Sequence, residues 1–320
     1  MTDNRPLSAL SAASGATTNF FQYLAWQDIY IRERPYQVLL NVPDRAREKR
    51  RHNLVFHDGP EEIVHDVRDR ASDFTLDNNG FTYIKQRSSL SIKDFDNREM
   101  ITKTFLQEVE QVLKANLSGV DQVYIYDWRR RRRGSHPLHG KQIDFADPLS
   151  PLGPATQVHL DQSPASVVQR VFNYLPEQAD HLVQGRVRLM NLWRPIGGPV
   201  ENWPLAVCDG STLPETSLVE CERIRREYVG NTMYLLQTAG IKWYYHSQQS
   251  EDDLLIFKTF DSSRDVAANC KYTQGLTSEE MLTIVDCSHG SFQPKDVPSD
   301  TKIRQSIEVR ALVFTYPENC

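Results

Sequence analysis

The sequence predicts a mainly β protein with flanking helices, folded as a double-stranded β-helix, or jelly roll. Three observations carry that reading. From residue 155 onward, strand-like runs follow one another at 156–162, 186–194, 204–208, 232–238, 241–246, 253–260, 281–286 and 305–315. Turn signals such as Gly197-Gly198-Pro199 and Asp209-Gly210 separate them, and short strands punctuated in this way mark sandwiches and jelly rolls. The last run alternates. Ile307, Val309, Ala311 and Val313 share one face, and Arg304, Ser306, Glu308 and Arg310 share the other, because successive side chains of a strand point to opposite sides.

The preceding half is expected to be less regular. Residues 1–18 read as a flexible arm. Residues 19–320 read as one jelly-roll domain with an α/β N-terminal extension and its core at 150–316. The charged stretch Asp44 to Arg51 reads as a solvated loop or helix face, and residues 62–76 as a short strand and a turn. Asp77-Asn78-Asn79-Gly80 is a turn signal. The clearest helix covers 97–115, where Ile101, Phe105, Leu106, Val109, Val112 and Leu113 form one apolar stripe. Asn116 to Gly119 suits its end. A strand at 122–127 follows, then Trp128 and five consecutive arginines, Arg129 to Arg133. The arginine run reads first as a solvated loop. A nuclear-import signal, a nucleic-acid patch and a carboxylate-binding loop over a pocket are its functional alternatives. His136 and His139 lie in the next loop, where a mobile segment is a better expectation than a metal site.

Composition narrows the function. The chain has 320 residues, 39% of them hydrophobic and 10% aromatic, enough for a sizeable core. A net charge of −5 and a pI near 6.0 give no global electrostatic case for nucleic acid. The N-terminus lacks a basic stretch followed by an apolar one, and no run reaches the roughly 18 apolar residues of a membrane span. Five cysteines are scattered without a CxxC pair, the pattern of reduced thiols. The expectation is a cytoplasmic protein acting on a small molecule, with no nucleic-acid or membrane partner. The oligomeric state is open, a homodimer being one option.

The chemistry starts at Val158-His159-Leu160-Asp161-Gln162-Ser163-Pro164. On a strand, His159 and Asp161 present an imidazole and a carboxylate side by side. The strand ends at once, because Ser163 is a good N-cap and Pro164 suits the first helical position. A facial triad of two histidines and one carboxylate needs a distant second histidine. His181 lacks strand context, and His246 and His289 each follow an apolar run. Only His289 is followed by the alternating last strand, in which an Arg-x-Ser pair can grip a carboxylate with guanidinium and hydroxyl together. The set His159, Asp161, His289, Arg304 and Ser306 is the arrangement expected of a non-haem Fe(II) enzyme using 2-oxoglutarate and O2. Arg310 shares the face of Arg304, so either could anchor the cosubstrate. Arg194 and Lys258 are candidate substrate contacts, against a surface salt bridge for the first and a solvent-facing position for the second.

Longer segments resemble a known family. Asn191-Leu-Trp-Arg-Pro195, Pro204 to Asp209, Leu254 to Ser262, Ser288-His-Gly-Ser-Phe292 and Arg304 to Phe314 are similar to those of the fungal hydroxylase/desaturase family. Ala16 to Phe21, Phe74 to Asp77 and Asp127-Trp-Arg-Arg are similar too, so the resemblance covers 16–316. Ser288 stands where members more often have proline. The resemblance implies Fe(II)/2-oxoglutarate-dependent dioxygenases of secondary-metabolite biosynthesis, related to a cephamycin-pathway hydroxylation protein. It puts the metal on His159, Asp161 and His289 and the cosubstrate on Arg304, Ser306 and Arg310. It further implies oxidation of an unactivated C–H bond in a secondary metabolite or amino-acid-derived substrate: hydroxylation, desaturation or ring closure such as aziridine formation. The rivals are a Zn-dependent hydrolase on the same scaffold and a non-catalytic jelly-roll binding protein.

Overall fold

The structure is a computed structural model. It describes residues 15–40, 51–132, 144, 146–150, 152–225, 229–263, 286–295, 297–298 and 300–317. His136, His139, Arg133, most of the 44–51 run and most of the strand expected at 281–286 lie outside them.

Fourteen strands are present among the described residues. They are β1 (Thr17–Leu24), β2 (Tyr36–Val38), β3 (Phe56–Asp66), β4 (Phe81–Lys85), β5 (Gln122–Arg132), β6 (His159–Leu160), β7 (Arg186–Ile196), β8 (Leu205–Cys208), β9 (Leu218–Ile224), β10 (Val229–Leu235), β11 (Trp243–Tyr245), β12 (Asp253–Asp261), β13 (His289–Ser291) and β14 (Gln305–Thr315). They form a nine-stranded sheet, ordered β1-β3-β11-β8-β13-β6-β10-β9-β2, and a five-stranded sheet, ordered β4-β12-β7-β14-β5. The predicted jelly roll is borne out. Strand order is far from chain order because the two halves of a double-stranded β-helix exchange strands.

The five-stranded sheet is two-faced, as the alternation of β14 requires. Its outer side carries Ile307, Val309, Ala311 and Val313 with Met190 and Leu192, packed against Ile101, Phe105, Val109 and Leu113. Those last residues are the stripe of the predicted helix. It forms as a turn at Arg98–Met100, a π-helical turn at Ile101–Phe105 and an α-helix at Leu106–Asn116. Asn97 caps the first turn through the backbone N–H groups of Glu99 and Met100. The inner side of the sheet faces the nine-stranded sheet. There Trp193, Leu255 and Phe257 pack with Val207 and Cys287 from the opposite side.

The helix after the His-x-Asp segment is also as predicted. It runs Pro164–Tyr174, and the Ser163 side chain accepts from the N–H of Ser166. Three features differ from the sequence reading. β1 begins at Thr17, inside the expected arm. β9 and the short β2, paired to it in parallel, went unread because neither alternates clearly. The third difference is β5, which continues through Arg132 as a strand, where a solvated loop was expected. Its partner β14 supplies ten registered positions from Gln122 to Arg132, and such cross-strand context decides strand formation more than local preference does. Among the described residues no helix is long and apolar enough to cross a membrane.

Candidate active site

Three strand ends converge between the sheets. β6 carries His159, the turn after it carries Asp161, and β13 carries His289, which pairs directly with His159. Each residue offers one ligand atom, and the three atoms lie within 4.8 Å of one another. His159, Asp161 and His289 are 7%, 4% and 2% exposed, so all three are buried.

Hydrogen bonds to the backbone orient both rings. Nδ1 of His159 lies 2.8 Å from the carbonyl of Gln157, and Nδ1 of His289 lies 3.3 Å from that of Cys287. A carbonyl accepts only, so Nδ1 carries the proton and each Nε2 lone pair is free for a metal. Burial pushes the His159 imidazolium down to about 3, and His289 adds to that push. Burial lowers His289 in the same way. Both rings are therefore neutral near pH 7, as ligation requires.

Asp161 is held from behind. Its Oδ2 accepts from Nε of Arg310 at 2.9 Å and from the amide of Asn191 at 2.5 Å. Its Oδ1 lies 3.9 Å from Nε2 of His159. Oδ2, which also lies 4.0 Å from Nε2 of His289, is thus occupied, and Oδ1 is the oxygen nearer His159. Burial works against the Asp161 charge, but Arg310, with the hydrogen bond from Asn191, outweighs it and holds the carboxyl well below its ordinary range.

Arg310 is fully engaged in this brace. Besides Asp161 it donates to Asp127 at 2.8 Å and Glu308 at 3.0 Å. Asn191 also donates to Glu308, at 2.7 Å. Each of the three nitrogens of Arg310 already meets a carboxylate, which argues for a bracing role rather than the expected one with the cosubstrate. Sequence reasoning missed Asn191 and Asp127. Asn191 interrupts the apolar stretch Leu189 to Trp193 at the centre of its strand, and a lone amide in such a stretch was the available signal. Glu308 was placed on the right face but given no role.

Arg304 is the opposite case. It is 4% exposed and makes no ion pair among the described residues. Its guanidinium lies over the ring of Trp193, 5.0 Å from the centroid, donates to Ser306 at 2.9 Å and reaches Ser291 at 3.4 Å. Its Nε is buried without a partner. Burial pulls this guanidinium down to about 9, and Arg131 nearby pulls the same way. A buried cation with only hydroxyl partners is costly, and a carboxylate would relieve it. The residues present fit both implied groups: two neutral imidazoles and a carboxylate for the metal, a lone buried guanidinium for a dicarboxylate.

Two other candidates fall elsewhere. Arg194 pairs in register with Ile307 on the helix-covered face of the sheet. It donates to the carbonyl of Gln86 and lies 5.7 Å from the ring of Phe105, so the sheet itself separates it from the histidines. Lys258 is 1% exposed, which corrects the solvent-facing reading. Its ammonium is bound to Asp261 at 3.0 Å, and Arg186 forks the same carboxylate. His246 packs with its ring tilted against Tyr83 and lies 3.8 Å from Asp253, and it is not part of the His159, Asp161 and His289 cluster.

This fold and this site define a Fe(II)/2-oxoglutarate-dependent dioxygenase, an enzyme that takes Fe(II), 2-oxoglutarate and O2 and acts on a small molecule. A family model described as oxidoreductase/YMDC permease-like domain matches residues 21–314, and the chain belongs to that family. It is similar to aspirochlorine biosynthesis protein N of Aspergillus oryzae, 36% identical over 155 residues, which is 48% of this chain and 58% of that protein. It is similar to the Fe(II)/2-oxoglutarate-dependent dioxygenase nvfI of Aspergillus novofumigatus, 28% identical over 256 residues, 78% of this chain and 81% of that one. Other relatives are named hydroxylase/desaturase, which bears out the resemblance read from the sequence. Among solved structures, the iron and alpha-ketoglutarate-dependent endoperoxidase NvfI superposes with a TM-score of 0.74 at 24% identity, covering 94% of this chain and 98% of that one. That likeness shows the fold.

Proposed function

We propose that His159, Asp161 and His289 hold Fe(II), that Arg304 and Ser306 bind the far carboxylate of 2-oxoglutarate, and that the enzyme oxidises an unactivated C–H bond of a secondary metabolite. The single observation that carries this reading is Arg304, a buried guanidinium that reaches Ser291, two residues beyond His289, and has two hydroxyl partners and no ion pair among the described residues. A hydrolase using Zn2+ has no use for that group.

The metal with its cosubstrate and O2 supplies the oxidising power when bound. The chain's own residues bind, orient and exclude water. The backbone carbonyls of Gln157 and Cys287 fix the histidine tautomers. Arg310 and Asn191 hold one oxygen of Asp161, leaving the other for the metal. Arg304, flat against Trp193, offers a fork for a carboxylate, and Ser306 adds a hydroxyl. Phe257, whose ring lies 4.7 Å from that of His289, keeps that side of the site apolar. No general base is needed, and the nearby carboxylates of Asp127 and Glu308 are committed to Arg310.

Hydroxylation, desaturation and ring closure all fit this geometry. Nucleic acid and membranes are not partners in this reading. Cytoplasmic residence and a homodimeric state belong to the same proposal and are read by fractionation and by light scattering.

The test is an anaerobic titration of metal-free protein with Fe(II) and 2-oxoglutarate, followed by the weak visible band of the chelated cosubstrate. The band is expected in the wild type and in His246→Ala, and is lost in His289→Ala. A metal-loaded wild type without the band refutes the reading and favours the hydrolase or the binding protein.

A further inference from the structure

The arginine run has a function left over. Register pairs Asp127 with Arg310, Arg129 with Glu308 and Arg131 with Ser306. Cross-strand partners project from the same face, so Asp127, Arg129 and Arg131 extend the polar inner face of β14 onto β5. The ion pair between Asp127 and Arg310 fixes that orientation. Outward-facing Arg130 is taken up by Asp96 and by Gln305.

A second arginine comes from the other sheet. Tyr234 of β10 pairs with His159 of β6 and with Val219 of β9. Arg223 lies four residues beyond Val219, so it shares the face that carries His159. Arg131 and Arg223 lie within electrostatic range of one another, Arg131 also of His289 and Arg223 of His159. They approach the metal position from opposite sheets.

Neither guanidinium makes an ion pair among the described residues, although Glu308 and Asp161 lie within electrostatic range of Arg131. Arg131 donates to the carbonyl of Gly153 at 2.9 Å and makes no ion pair among the described residues. Arg223 makes no side-chain hydrogen bond or ion pair among them, and its Nε is buried without a partner. Among the described residues around the site, the inward guanidiniums of Arg129, Arg131, Arg223, Arg304 and Arg310 outnumber the carboxylates of Asp127, Asp161 and Glu308. Fe(II) and the 2-oxoglutarate dianion cancel each other. Positive charge therefore remains after metal and cosubstrate are bound, and it sits on Arg131 and Arg223.

We propose that Arg131 and Arg223 form an anion subsite beside the metal position, and that the substrate is a small molecule carrying a carboxylate, which these two guanidiniums grip. This rests on the oxygenase reading above. It adds a chemical class to the substrate: an acid, bound by its carboxylate so that a fixed carbon of the remainder meets the metal. Two guanidiniums from different sheets suit one carboxylate, because each presents a planar fork. Burial makes the charge on Arg131 costly, and an anion offsets that cost.

The test uses the anaerobic Fe(II)·2-oxoglutarate protein and two fluorinated probes, 4-fluorophenylacetate and its neutral amide, followed by 19F line broadening. The acid is expected to bind at least about tenfold more tightly than the amide, the size of one charge-assisted hydrogen bond. Arg131→Gln and Arg223→Gln each remove that preference, with amide binding and the cosubstrate band unchanged. Equal binding of acid and amide to the wild type overturns the proposal, as does an acid preference that survives both substitutions. Weakened 2-oxoglutarate binding in Arg131→Gln, with the acid preference intact, also overturns it and assigns Arg131 to the cosubstrate. If Arg131→Gln loses the band altogether, Arg223→Gln decides. Absence of the band in the wild type refutes the oxygenase reading itself, and so separates the two failures.

Discussion

Replacing Arg304 with glutamine should move cosubstrate affinity and protein stability in opposite directions. Among the described residues the Arg304 guanidinium makes no ion pair and donates only to hydroxyls. Removing one partner of a buried, hydrogen-bonded charge pair costs about 2–5 kcal/mol. At 1.4 kcal/mol per decade, that weakens 2-oxoglutarate by roughly 30- to 4,000-fold. Without cosubstrate the effect reverses. The side chain is 4% exposed, its Nε has no partner, and burial already pulls its charge down to about 9. A neutral glutamine removes a buried cation that nothing neutralises, so the cosubstrate-free variant should melt no lower than the wild type. Anaerobic titration of the visible band gives the first quantity and differential scanning calorimetry the second. A loss in 2-oxoglutarate affinity below threefold would refute the reasoning. A large fall in the melting temperature of the cosubstrate-free variant would refute it too, because it would give Arg304 a structural partner.

Three further outcomes follow from the same contacts. Arg310→Gln leaves Asp127, Asp161 and Glu308 without their common cation, and breaking such a buried pair costs about 3–5 kcal/mol. It should lower the melting temperature and the iron affinity together, while molecules that retain iron bind 2-oxoglutarate within about threefold of wild type. Cosubstrate binding lost with stability intact would instead make Arg310 the anchor. Asp286 is buried with an unpartnered Oδ1, and burial pushes its carboxyl up to about 8 against the pull of Lys258. The folded protein then holds a proton that the unfolded chain releases above about pH 3.9, so this contribution to stability falls as pH rises from there to about 8, by about 1.4 kcal/mol per unit. Asp286→Asn should therefore stabilise more at pH 8 than at pH 5, and a melting-temperature difference that is flat with pH would count against it. Gly185→Ala places a Cβ 2.1 Å from the carbonyl oxygen of Thr315 and 2.9 Å from the nitrogen of Pro317. Both are backbone atoms, so the pairing of β7 and β14 must shift. A loss of about 1–3 kcal/mol is expected in urea unfolding, and an unchanged midpoint would show that the strand ends are free to move.

The parts of the fold that follow a simple period were legible in the sequence. β14 alternates and was read residue by residue, and the stripe from Ile101 to Leu113 announced its helix. The His-x-Asp segment was legible because Ser163 and Pro164 end the strand and open a helix within two residues. What failed to show were properties of partners. Nothing local in Arg129 to Arg132 indicates a strand. The run is a strand because β14 lies beside it and because Asp127, Glu308 and Asp96 neutralise or face its charges. Lys258 looked solvent-facing because its partner Asp261 is bound in turn by Arg186, from a strand that pairs with its own. In both cases a charge was read alone, and its burial depended on a countercharge brought by the fold.

The choice between Arg304 and Arg310 shows the same limit from another side. Both lie on one face of one strand, so periodicity treats them alike. Their separation does not. Six residues at ~3.3 Å per residue put their Cα atoms ~20 Å apart, far more than the length of a five-carbon dicarboxylate. One of the two must stand at the metal end and the other away from it. Arg310 contacts Asp161, which fixes the metal end. Arg304 contacts Ser291, two residues beyond His289, and Ser306 along its own strand. On the reading proposed above, Arg304 would take the far carboxylate of the cosubstrate, and the distance between the two arginines distinguishes what the alternation of the strand cannot. Arg131, in register with Ser306, stands on the neighbouring strand. This is why its occupant, cosubstrate or substrate, must be separated by experiment, and why the acid and amide probes are compared with 2-oxoglutarate already in place.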